Sequence, residues 1–155
     1  MVMNKQTGFT LIELMVVVAL IGVLSTIGMM SYSTYSAKGE RDRGCVMVLP
    51  EMARDLETYR QANASYTTSF TSLNTVLKSS KEWSATPTTG SLTHTYSIAP
   101  GSSGSIASSF KISCTPTKLE SNGFDNTGCG VLTYDNFGRR GATKEASKTI
   151  DSCWR

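Results

Sequence analysis

Apolar positions along this chain follow three different patterns. Between residues 14 and 30 no charge interrupts a run broken only by Gly, Ser and Thr. As a helix this run would span about 26 Å at ~1.5 Å per residue, just enough to cross a bilayer. Beyond it Cys45, Leu49, Met52, Leu56 and Tyr59 recur at intervals of three or four. That spacing lines one face, so the helix is expected to continue to about residue 62 with an amphipathic second half. Gly22, Gly28, Gly39, Gly44 and Pro50 all fall within it. Each glycine costs a helix ~1 kcal/mol and proline removes a backbone bond, which predicts a curved or locally loosened helix.

The third pattern is alternation. Residues 93–98, 105–115 and 130–134 read as strands, with Phe110, Ile112 and Cys114 turned to one face. Asp135-Asn136-Phe137-Gly138 reads as a hairpin turn, and residues 139–143 as the returning strand. Residues 61–93 are rich in Ser, Thr and Asn, with Tyr66, Phe70, Leu73, Val76, Leu77 and Trp83 as anchors, and suggest a decorated connection with a short helix near 70–78. Pro100-Gly101-Ser102-Ser103-Gly104-Ser105 reads as a flexible loop. A three- or four-stranded antiparallel sheet packed on the amphipathic half of the helix gives an α+β head, because a strand face and a helix stripe exclude water together.

With 155 residues there is room for one modest domain and one special segment. The formal charge is +3, of which Lys5 supplies one, too little to argue for nucleic acid by itself. Cys45, Cys114, Cys129 and Cys153 are scattered without a C-x-x-C pair, so a zinc site would need an unusual arrangement and disulfides in an oxidising compartment are the better reading. Four cysteines allow three connectivities, of which Cys129 with Cys153 and Cys45 with Cys114 is preferred. In the chain-entropy account these close loops of about 25 and about 70 residues, worth roughly 3.5 and 4.4 kcal/mol. His94 is expected at the surface or half-buried in a strand, and there is no G-x-S-x-G and no phosphate loop followed by Lys. Asp125-Asn126 lacks the acidic spacing of a calcium loop and reads as a turn. No enzyme, cofactor or metal is expected.

The apolar run can be read as a secretory signal, but Tyr35 stands where cleavage after Ala37 needs a small residue, and the run exceeds the usual ~7 to 15 residues. An ordinary anchor would not explain Glu13. A carboxylate deep in a membrane costs on the order of 2.5 to 3.5 kcal/mol, so it calls for a shallow position or a partner. One partner is local, since Thr10-Leu11-Ile12-Glu13 fits a capping box. The other would be a positive group such as a new N-terminal amine.

Lys5-Gln6-Thr7-Gly8-Phe9-Thr10-Leu11-Ile12-Glu13-Leu14, followed by the apolar run, resembles the class III signal of type IV prepilins and pseudopilins. The resemblance implies cleavage by a prepilin peptidase between Gly8 and Phe9, N-methylation of Phe9, and a role for Glu13 in methylation and assembly. It also implies a type IV pilin fold: leader 1–8, transmembrane and filament-core helix 9–32, and head 33–155 with a C-terminal disulfide-bounded loop. Lys38, Arg41 and Arg43 outnumber Lys5, which by the positive-inside rule favours a cytoplasmic head. The cysteines and the resemblance favour the outside, with an inner-membrane precursor whose head is periplasmic and an extracellular pilus after assembly.

The stretches around Cys129 to Thr133, Gly138 to Gly141 and Asp151 to Arg155 resemble the end of PilE-type minor pilins, which carry a disulfide-bounded loop there. Both resemblances together cover about a third of the chain, leave residues 61–109 unmatched, and do not extend to Cys45 and Cys114. They imply a minor pilin serving assembly, adhesion and twitching motility, with major and minor pilins, the processing peptidase and methyltransferase, and the inner membrane as partners. A major pilin and a type II secretion pseudopilin are the alternatives. Some minor pilins resembling this one are DNA receptors, which makes Arg139, Arg140, Lys144 and Lys148 candidate DNA contacts, with Tyr134 and Trp154 as stacking groups. A solvated loop of mixed charge is the plainer reading of that region.

Overall fold

A computed structural model describes residues 8–77, 82–86, 94–118 and 123–155, with the side chains of residues 27–31 left aside. It divides into two units, one ending at Tyr35 and one formed by Ser36–Arg155. Lys5, Gln6 and Thr7 of the expected leader, and Thr93 of the first expected strand, lie outside the described residues.

Helix α1 covers Leu11–Arg41. In the first unit its apolar side chains are exposed on every side, from Leu11 at 78 % to Val17 at 51 %. Hydrophobicity all round a helix is characteristic of a segment enclosed by something larger, such as a membrane or a bundle of neighbours. Two of its hydroxyls bond back within the helix, Ser25 Oγ donating to the Ile21 carbonyl and Thr26 Oγ1 to that of Val23, both at 2.7 Å. Among the described residues no helix is long and apolar enough to cross a membrane, and the apolar sequence continues into residues 27–31.

In the second unit the helix loosens where the glycine and proline pattern predicts. Asp42–Val46 forms a π-helical turn around Gly44, and α2 follows over Val48–Asn63. Pro50 falls in the first turn of α2, where its missing N–H is least costly. The helix ends at Ala64, which adopts a left-handed conformation (φ 57°) and donates to the Arg60 carbonyl at 2.7 Å. A short helix α3, Phe70–Leu77, comes next.

Four strands, β1 (His94–Pro100), β2 (Phe110–Pro116), β3 (Cys129–Asp135) and β4 (Arg140–Lys144), form an antiparallel sheet in the order β1-β2-β3-β4. Ile112 sits opposite Ile98 on one side and Tyr134 on the other, and Cys114 opposite Tyr96 and Leu132. The inner face brings Phe110, Ile112, Cys114 and Leu132 against Leu49, Met52, Ala53 and Leu56 of α2, all buried. Tyr66, Leu73 and Trp83 from the connection join the same core, with Ile98, Trp154 and the remaining cysteines. The Asn74 side chain donates to the Trp83 carbonyl and accepts from its N–H, both at 2.8 Å, while Trp83 Nε1 donates to Asp55 at 2.7 Å. The poorly patterned connection is thus pinned by two polar residues rather than by periodicity.

Two expectations are corrected. Residues 105–109 are not strand: β2 begins at Phe110, and the serines before it fold into a turn in which Ser103 Oγ meets Ser108 Oγ at 2.7 Å and Ser103 N donates to buried Ser109 Oγ at 3.3 Å. The stretch from Gly101 is therefore a hydroxyl-tied loop rather than a featureless one. His94 is not at the surface but 4 % exposed, because Gly44 has no side chain and the imidazole takes the space where a Cβ would stand. A last helix, α4 (Ile150–Cys153), had no apolar period to announce it. It starts with a capping box in which Ser152 N donates to Thr149 Oγ1 and Thr149 N to Ser152 Oγ, each at 3.1 Å.

Candidate functional site

At the N-terminal end Gly8 has open space where a Cβ would lie and Phe9 is 89 % exposed. The peptide between them is therefore accessible on both sides. Just beyond, Glu13 Oε2 accepts from Thr10 N at 2.9 Å and from Thr10 Oγ1 at 2.8 Å, while Glu13 N donates to Thr10 Oγ1 at 3.3 Å. The local capping box is complete, and it holds the carboxylate one turn from the residue that would carry a new amine after cleavage.

At the other end Cys129 is bonded to Cys153, with 5.8 Å between Cα atoms. Trp154 follows, 4 % exposed, its Nε1 donating to the Gly141 carbonyl at 3.1 Å and its ring 6.0 Å from that of Tyr134. Trp154 is thus a buried staple over β4, which corrects its expected role as a stacking group for bases. The four candidate cations are not one group. Arg140, Lys144 and Lys148 line an open pocket of about 540 Å³ with Thr149, Ile150 and Asp151, and the Arg140 guanidinium lies 5.1 Å from the Trp154 ring.

Arg139 does not line that pocket. Its Nε donates to Asp135 Oδ2 at 2.6 Å and its guanidinium lies over Phe137 at 5.0 Å. Asp135 also accepts from the N–H groups of Phe137 and Arg139, closing the turn that Gly138 (φ 75°) completes. Burial pushes the Asp135 carboxyl upward, but the hydrogen bonds and charge of Arg139 and the Phe137 N–H outweigh it and hold the group below its ordinary value.

The sequence reading gave no special place to a buried ion pair. Arg41, 1 % exposed, sends Nη1 to Asp125 Oδ2 at 3.1 Å and also to Thr127 Oγ1. Asp125 Oδ1 in turn accepts from Thr127 N at 2.8 Å and Cys129 N at 3.1 Å, which ties the end of α1 to the turn leading into β3. In the sequence Asp125-Asn126 reads as a turn, whereas its long-range partner Arg41 reads only as one of the bases that follow the apolar run.

A second buried group joins the π-helical turn to the sheet. Cys45 is bonded to Cys114, with 5.7 Å between Cα atoms, and the donor atoms of Cys45, His94 and Cys114 all lie within 4.8 Å of one another. Tyr96 Oη donates to the Gly44 carbonyl at 2.6 Å, a side-chain bond from β1 into the π-helical turn. Burial lowers the His94 imidazole below its ordinary value, with Glu40 and Asp125 opposing and Arg41 reinforcing the shift.

Residues 3–29 match the family described as the prokaryotic N-terminal methylation motif. The chain is type IV pilin-like. Over 41 residues it is 51 % identical to the type IV major alpha-pilin of Moraxella bovis, and equally to a probable minor fimbrial protein of Dichelobacter nodosus, in each case 26 % of this chain and 26 % of the relative. The matched stretch thus spans about a quarter of the length of these relatives. A solved type IV pilin of Shewanella oneidensis is 21 % identical, with a TM-score of 0.42 over 72 % of this chain and 94 % of that one. The matched motif of this type IV pilin-like chain contains Gly8, Phe9 and Glu13 and ends within α1.

Proposed function

We propose that this chain is a minor pilin subunit of a type IV pilus, made as a membrane-anchored prepilin, cleaved between Gly8 and Phe9, N-methylated on Phe9 and assembled with other pilins. Its role is structural, serving initiation of assembly, adhesion and twitching motility. The observation that carries this reading is the methylation motif at residues 3–29, which runs into a helix whose described apolar side chains are exposed on all sides. A secretory peptidase would remove such a helix, whereas cleavage at Gly8 keeps it as an anchor and then as a surface for neighbouring subunits. The equal match to a major pilin and a minor fimbrial protein makes abundance the discriminating property. The C-terminal Cys129 to Trp154 region favours the minor role through its resemblance to PilE-type subunits.

The test is the intact mass of protein from membranes and from sheared filaments, with and without reductant. A mass beginning at methylated Phe9, at low abundance in filaments and four hydrogens heavier after reduction, is expected. Retention of Met1, or a start after Ala37, overturns it. High filament abundance makes it a major pilin, and co-purification with secretion components a pseudopilin.

A second reading, DNA reception, is favoured by one observation, the shared pocket of Arg140, Lys144 and Lys148. Three phosphate contacts would give duplex binding that weakens steeply with salt. Removing Arg140 and Lys144 should then abolish binding, while Arg139→Ala leaves it in place. Absence of salt-sensitive duplex binding by the native chain eliminates this reading.

A further inference from the structure

Cys45 arrives on the π-helical turn, Cys114 on β2 and His94 on β1, so three separate elements converge on one buried point. None of the three residues is more than 4 % exposed, and their donor atoms fit within a 4.8 Å spread. The imidazole is fixed by its packing on Gly44, the residue next to Cys45, where any Cβ would overlap the ring. Two sulfurs and one imidazole nitrogen are the donor set preferred by soft cations. Around zinc, with Zn–S of about 2.3 Å and Zn–N of about 2.0 Å, neighbouring donors stand roughly 3.5 to 3.8 Å apart, so the two sulfurs, bonded to one another here, would have to separate once reduced.

We propose that Cys45, His94 and Cys114 form a binding site for a thiophilic d10 cation, Zn(II) or Cu(I), whenever the Cys45–Cys114 bond is reduced. A dithiol reductant supplies two electrons and two protons to the disulfide and is itself converted to a cyclic disulfide. The two cysteine thiols then release their protons to solvent as the metal binds, and His94 contributes a neutral nitrogen. Disulfide and metal exclude one another because both use the same sulfur lone pairs. The consequence is a cross-link with two forms: the π-helical turn and β2 are tied by a covalent bond when oxidised and by a metal when reduced. The Cys129–Cys153 pair has no histidine in such a group among the described residues and would lose its tie outright.

The experiment uses the full processed chain in detergent, carrying Cys129→Ser and Cys153→Ser so that two thiols remain, reduced with a dithiol that is then removed. Titration with Co(II) should give one equivalent of uptake with a thiolate-to-metal charge-transfer band, displaced by Zn(II). Zn(II) should raise the melting temperature of the reduced protein and leave the disulfide-bonded protein unchanged. His94→Gln should bind about tenfold more weakly or less well still. No charge-transfer band, uptake by the disulfide-bonded form with the same band, or full affinity in His94→Gln each overturns the proposal. Should the double variant not fold, single changes in the otherwise native chain decide the matter. Cys45→Ser must then lose the band and Cys153→Ser must keep it, and the reverse pattern assigns the metal elsewhere and refutes this site.

Discussion

Leu20 and Leu56 are the same residue in the same kind of helix, yet Leu20 is 58 % exposed and Leu56 is sealed completely. The difference lies in their neighbours along the sequence. Leu56 belongs to a stripe at intervals of three and four, and the chain supplies a sheet to cover that stripe. Leu20 belongs to a run that is apolar all round, and no single face of it could be covered by one sheet. The head therefore holds information about its own folding, whereas the first unit holds information about surroundings that the chain does not itself provide. The matched motif lies in the first unit, and the proposed processing fits that place, because a peptidase would read a linear string there and a linear string can be recognised without a fold.

The sharpest way to break this comparison is at Gly8. The neighbouring space is open, so Gly8→Val should fold normally in the head and yet block cleavage, leaving an unassembled precursor that retains Met1 by intact mass. Normal maturation of that variant would remove the linear-signal account altogether.

A change of similar size in the head should act on stability instead. Asp125→Ala leaves the Arg41 guanidinium buried without its charge partner, and breaking such a pair costs about 3 to 5 kcal/mol. Urea unfolding should show this loss. The double change Arg41→Met with Asp125→Ala should cost less than the two single losses added together, since no lone charge is left behind. Additive losses would mean that the two groups are not coupled.

Glu13 stands between the two kinds of information, because its local contacts are visible and its proposed partner amine is not part of the mature fold's interior. Losing the Glu13 side chain removes the acceptor of Thr10 N and Thr10 Oγ1, half of the capping box at the start of α1. Glu13→Ala should therefore fray the start of α1 slightly while being cleaved normally, and assemble poorly into filaments. Normal filament yield would leave only the capping role.

The elements that repeat were legible in the sequence: the stripe from Cys45 to Leu56, the Phe110-Ile112-Cys114 alternation, and the turn that Gly138 completes. The Gly44 break was legible as a weakness, though not as a π-helical turn, since that form depends on what packs against it. What escaped were pairings between residues with no local signature. Arg41 looks like any cation after an apolar run, and its burial follows from an aspartate 84 positions away. Asn74 and Trp83 meet through polar side chains that carry no period. Arg139 and Arg140 are adjacent in the chain but take different partners, one the Asp135 carboxylate and the other the pocket beside Trp154.

That last divergence can be tested by pH, with the smallest effect expected of the four. Asp135 has a folded pKa below its unfolded one, so protonation favours the unfolded chain. Its contribution is complete above the ordinary carboxylate range of about 4 and is lost as pH falls through the lowered folded value. Arg139 is well exposed, so solvent screens the pair and the loss should be modest. Asp135→Asn should flatten this part of the stability profile without changing the neutral behaviour of Arg140, Lys144 and Lys148. If the variant instead altered anion binding at the Arg140 pocket, the two arginines would be energetically coupled through the hairpin, and the separation drawn from their partners would not hold.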